Sequence, residues 1–176
     1  MGLIAGHDSG VFFDGDTPGP HGFLWGFVAL EYYALILNRV RMLLITSTEF
    51  IAISAGGPIA APQARSDAWN EPFFYVSDRK LRAYKDLMAQ SDDLVRVSRS
   101  NWKCPLSDLS AVSFKAQSKW GMASVPYSGR LFITVQGRER DLILLGNQDG
   151  KEIERALTTG HAPDRPMQPT AEKRFG

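Results

Sequence analysis

Cys104 is the only cysteine among 176 residues, which excludes an intrachain disulfide framework and makes the reducing cytoplasm the expected compartment. Beside Pro105 and among apolar neighbours, it reads as a small buried hydrophobe rather than a nucleophile. Long apolar runs are also missing. The longest, residues 23–37, is interrupted by Gly26 and Glu31 and falls short of the roughly 20 residues that a membrane-spanning helix needs, so it reads as a buried segment. Its aromatic residues, Phe23, Trp25, Phe27, Tyr32 and Tyr33, leave peripheral contact with a membrane surface as the lesser alternative. No lysine or arginine precedes Arg39, so the basic start of a secretory signal is lacking. Met1-Gly2 opens like a myristoylation site, but Gly6 stands where Ser or Thr is required.

Charge of one sign is in short supply as well. Twenty basic and 19 acidic side chains leave a net charge of +1, so no global field draws the chain towards nucleic acid or anionic lipid. The pairs Trp102-Lys103 and Lys119-Trp120 do set an aromatic beside a cation, as single-strand binders do, and the near-zero net charge weighs against that reading. Histidine is scarce, with three in the chain, and no serine sits in a nucleophile-elbow context. The one cluster of chemistry-bearing residues is the first segment, where His7, Asp8, Asp14, Asp16 and His21 offer hard and borderline ligands for a divalent metal or an acid/base pair. Their spacing matches no ligand motif. Residues 10–17 have the glycine spacing of a phosphate-binding loop, yet Asp16 occupies the lysine position, where a carboxylate repels phosphate. These absences predict a chain without catalytic residues, metal or cofactor.

What is present is a core and a set of short periodic elements. At 44% hydrophobic residues the chain suits a single domain of ordinary size. Residues 1–31, rich in Gly, Asp and Pro, read as an irregular segment, and the Pro-rich tail 159–176 as disordered. Between them, strands are expected over 32–37, 40–45 and 49–54, joined first by an Asn38-Arg39 turn. Residues 55–93 read as an insertion, loop-like to Pro72 and then helical over 78–90, where Leu81, Tyr84, Leu87 and Met88 recur at helical spacing. Further strands are expected from Leu94 to Val97, 102–106 and 111–115.

The clearest stretch is 129–157. Leu131, Ile133 and Val135 alternate with Phe132 and Thr134; a polar turn at Gln136 to Glu139, a little longer than the tightest hairpin loop, leads into the wholly apolar 142–145. Gly146 breaks the strand and Asn147 is the expected N-cap of a helix whose Ile153, Ala156 and Leu157 share one face, with Gly160 as its stop. Before this stretch, residues 115–128 form a loop in which Lys119, Trp120 and Met122 set apolar area beside positive charge. That combination fits a protein partner or a membrane interface.

The blocks LILNRVRMLLI, NWKCPLSDLSAVSF and GRLFITVQGRERDLILL followed by DGKEIERAL, taken in that order, resemble the bacterial PH-like domains, including the GRAM-like branch. Coverage runs over about 32–158. The resemblance implies a mainly β, α+β fold: an antiparallel barrel or sandwich with a C-terminal capping helix, here with an inserted helix, serving as a non-catalytic binding or scaffolding module for a protein partner. Membrane or lipid binding is the alternative. In lipid-binding relatives a basic motif lies near the first strand pair, and the charges matching it are Arg39 and Arg41. Together with Lys115, Lys119, Trp120 and Met122 they form the candidate contact set.

Overall fold

The computed structural model describes residues 22–32, 37–56, 70–89, 93–122 and 125–160. The calls on His7 to His21, on 33–36, on most of the loop before Pro72 and on the tail beyond Gly160 lie outside them.

Seven strands form one antiparallel sheet: β1 (Phe23–Tyr32), β2 (Asn38–Thr46), β3 (Glu49–Ser54), β4 (Trp102–Pro105), β5 (Leu109–Lys115), β6 (Tyr127–Val135) and β7 (Arg138–Leu145). The helices are α1 (Asp78–Ala89) and α2 (Gly150–Thr159). The spatial order is β4-β3-β2-β1-β7-β6-β5, so the first strand pairs with the last: Ala29 lies opposite Leu144, Leu30 opposite Ile143 and Glu31 opposite Leu142. Two meanders are thereby joined along one seam.

The order forces the sheet to curl. β4 and β5 are its two edges, which a flat seven-strand sheet would hold about 29 Å apart at the usual strand spacing. The chain crosses from Pro105 to Leu109 through a single 3-10 turn, Leu106–Asp108, which can reach roughly 14 Å at full extension. The result is a half-barrel with an inner and an outer face. The mainly β reading of the sequence holds at this level.

Each face has its own core. Inside lie Phe27, Ala29, Leu43, Ile45, Phe50, Ala52, Leu131, Ile133, Leu142 and Leu144, closed over by Ile153, Ala156 and Leu157 of α2. Outside, Val28, Leu30, Val40, Met42, Leu44, Ile53, Ile143 and Leu145 pack beneath Val76, Tyr84, Leu94 and Met122. The helical part of the insertion is therefore a second layer on the sheet. Burial on both faces also explains the unbroken apolar texture of β1, β2 and the end of β7, since no polar alternation survives when both sides are dry.

Four local expectations are corrected. Residues 23–31 are central strand, β1 at Phe23–Tyr32, and not irregular segment, and Trp25 and Phe27 are buried in it rather than offered to a membrane. Leu94–Val97 is a 3-10 turn, because the Asp93 carboxylate accepts the Val95 N–H and closes the backbone on itself. The β6–β7 loop is the two-residue type: Val135 pairs with Arg138, and Gln136 and Gly137 take φ of 50° and 74°, the left-handed geometry that matches strand twist. The N-cap of α2 is Asp149, whose carboxylate accepts from the N–H groups of Lys151 and Glu152 at 3.0 Å each, two residues beyond Asn147.

Side chains finish the ladder where strands stop. The β1–β7 pairing stops at Ala29 opposite Leu144, and buried Gln148 takes over at Val28: its Oε1 accepts the Val28 N–H at 3.1 Å and its Nε2 donates to the carbonyls of Val28 and Leu145, both at 2.6 Å. At the end of β3, Asn101 Oδ1 accepts the Ser54 N–H at 2.8 Å, while its Nδ2 donates to the Leu94 carbonyl and to Tyr84 Oη. Buried backbone groups must be paired, and these two amides pair them.

Candidate functional site

Two places on the half-barrel collect the residues singled out in the sequence. The first is the edge formed by β5 and the loop after it. β5 is a terminal strand of the sheet, bonded through β6, and Ser110, Ala111 and Lys115 on it are exposed, as are Ala116, Gln117 and Ser118 beyond it. The following loop is pinned at both feet. The Lys119 N–H donates to Tyr127 Oη at 2.9 Å, Lys119 Nζ reaches Asp141 Oδ2 at 2.8 Å and lies 5.2 Å above the Tyr32 ring, and Met122 is buried in the outer core with its Sδ accepting from Tyr32 Oη at 3.9 Å. Trp120, between these anchors, is 94% exposed. Of the expected contact residues, Trp120 and Lys115 are thus at the surface, Lys119 is engaged in holding the loop, and Met122 is an anchor rather than a contact.

Beneath that loop the outer face of β6 carries Phe132, with Arg130 at 4.7 Å and Lys115 at 5.1 Å from its ring centroid. Arg130 also grips Asp141 through Nη2 at 2.6 Å and Nε at 3.1 Å. Burial raises the Asp141 pKa, but the hydrogen bonds from Arg130 and Lys119 outweigh it and leave the carboxyl below its usual range. One carboxylate therefore fastens two cations, and the loop is held to the sheet by charge as well as by Met122.

The second place is inside the half-barrel. Register puts Glu31 opposite Leu142 and, across β2, opposite Arg39, so Glu31, Arg39, Arg41 and Arg140 all point inward with Ala29 and Leu142. Glu31 Oε2 accepts from Arg41 Nε and Nη2, both at 2.7 Å, and Oε1 accepts from Arg140 Nη1 at 2.6 Å. The Arg140 guanidinium lies 4.1 Å from the centroid of the Trp102 ring, which in turn meets Phe50 at 5.6 Å. Arg41 is 3% exposed and Glu31 5%. Burial pulls the Arg41 pKa down against the pull of Glu31, and the nearby Arg39 and Arg140 add to the lowering. Arg41, expected as a surface cation for lipid, is thus an interior ion-pair member.

Three donors of this cluster have no hydrogen-bond partner among the described residues: Arg41 Nη1, Arg140 Nε and Trp102 Nε1. Glu31 and Arg140 are the site residues that the sequence reading passed over, and Trp102 was noted there only as an aromatic beside Lys103. Glu31 had a signal, as the lone charge in an apolar run; Arg140 had none without the register.

Nearby Cys104 is buried, and its thiol is pushed up to about 11, chiefly by burial and then by Asp108 and Glu49. It is a core residue, as expected. Among the described residues no group of three His, Cys, Asp or Glu side chains gathers as metal ligands, and no helix is long and apolar enough to cross a membrane. Compared with known proteins, the chain matches no family profile, and no curated protein matches it in sequence.

Proposed function

We propose that the chain is a non-catalytic binding module of PH-like architecture that docks a protein partner along the open edge of β5 and the adjoining Trp120 loop. The observation that carries this reading is the 94% exposure of Trp120 on a loop fixed at both feet. Leaving an indole in water forgoes roughly 1.5–3 kcal/mol of burial, and a rigid aromatic that surrenders little entropy is what binding hot spots are made of. An unpaired strand edge beside it offers backbone donors and acceptors to an added strand. The PH-like reading is supported by the pairing of first strand with last and by a C-terminal helix lying over the inner core.

Lipid binding is the second reading, favoured by Lys115 and Arg130 flanking Phe132 on the same side. The full chain used as bait, compared with Trp120→Ala, separates these. A partner retained by the parent and reduced at least about tenfold by the substitution supports protein docking. Equal retention by Trp120→Ala would remove the loop from the account, and co-sedimentation with phosphatidylserine vesicles that is lost in Trp120→Ala would transfer it to lipid.

A further inference from the structure

The interior cluster points to a ligand of its own, on a different surface from the β5 edge. Glu31 engages one edge of Arg41 and one nitrogen of Arg140, and leaves Arg41 Nη1, Arg140 Nε and Trp102 Nε1 without acceptors among the described residues. A buried donor without an acceptor costs about 1–3 kcal/mol, and more when it belongs to a charged group. Three of them in a single connected cluster, Arg41 to Glu31 to Arg140 to Trp102, mark a place where acceptors are missing among the described residues. All three atoms donate and none accepts, which specifies a ligand that presents lone pairs. Glu31 is one carboxylate among the inward-facing guanidinium groups of Arg39, Arg41 and Arg140, so the cluster keeps net positive charge, which specifies an anion.

We infer that this cluster binds one carboxylate, held by Arg41 and Arg140 and oriented by the Trp102 indole N–H. A carboxylate has two oxygens with about four acceptor sites in a plane, enough for the three donors, and guanidinium recognises that plane better than any other anion of its size. The route in is the Arg140 side, where that side chain is 26% exposed while Glu31 is 6% and Arg41 3%. The carboxylate can be that of a small organic acid or the free C-terminus of a peptide, since both present the same group.

The test is a titration of the full chain followed at the Trp102 indole proton, identified by its loss in Trp102→Phe. Sodium benzoate should shift that proton saturably, benzamide should not, and Arg140→Gln should weaken binding about tenfold by the same signal. A short peptide with a free C-terminus that binds more tightly than its amidated form and than benzoate would identify a chain terminus as the source; equal or tighter binding of benzoate would identify a small acid. No shift with either carboxylate, an equal shift with benzamide, or tighter binding of inorganic phosphate would overturn the inference. So would an Arg140→Gln chain that melts cooperatively yet binds benzoate as the parent does.

Discussion

A single amide side chain does the work of a strand at the join between β1 and α2. Gln148 satisfies both backbone groups of Val28 and the carbonyl of Leu145 in a fully dry setting. Replacing it by leucine keeps the volume and leaves those groups unpaired, so Gln148→Leu is expected to lower unfolding free energy by about 2–4 kcal/mol, read by denaturant titration with an unchanged m-value. A loss under 0.5 kcal/mol would mean that the amide is not bonded as described. At this scale the sequence is least legible. Arg41 and Glu31 are ten residues apart, and only the β1–β2 register reveals that they meet inside the sheet. Arg41 therefore looked like a ligand for lipid phosphate when its partner lay within the chain. Trp120 was readable because its neighbours, Lys119 and Gly121, give it nothing local to pack against.

Elements were legible wherever one face is wet. β6 alternates Leu131, Ile133 and Val135 with half-buried residues, and α2 shows a single apolar stripe, so both were located by period alone. β1 was missed because the strand is dry on both sides, inner through Phe27 and Ala29, outer through Val28 and Leu30, and so has no alternation to read. Leu94–Val97 failed for the opposite reason: its β-branched residues favour a strand, while the Asp93 cap binds the backbone into a turn. One contact between elements was invisible in both patterns. The Phe114 ring of β5 fits between Gly129 and Gly150, and a Cβ at either position would collide with it. Gly150 is in the first turn of α2, where alanine ordinarily gains about 1 kcal/mol. Here the sign should reverse: Gly150→Ala is expected to destabilise by about 1–3 kcal/mol through overpacking, and Phe114→Leu in the same chain to recover part of the loss. Thermal melts of the single and double substitutions decide it, and a stabilised Gly150→Ala would show that α2 does not sit on Phe114.

On the scale of the molecule, the short link between β4 and β5 curls the sheet, the β1 to β7 seam locks it, and the two helices cover opposite faces. That construction uses up most of the sheet's surface. Among the described residues β4 and β5 remain the sheet's edges, β5 with the Trp120 loop beside it, and the Arg140 side chain gives the approach to the interior cluster. The antiparallel character and the helix at the end were readable from the order of elements; the curl was not, since it depends on which strands become edges. The claim that the β5 edge is where a partner docks is most directly tested by amide hydrogen exchange of the full chain, alone and with the partner captured by it. The expected result is new protection concentrated over Leu109 to Gly121, with the already slow amides of β1, β2 and β7 unchanged. Protection confined to the exposed face of α1 or to β3 and β4, with Leu109 to Gly121 exchanging as in the free chain, would contradict the account.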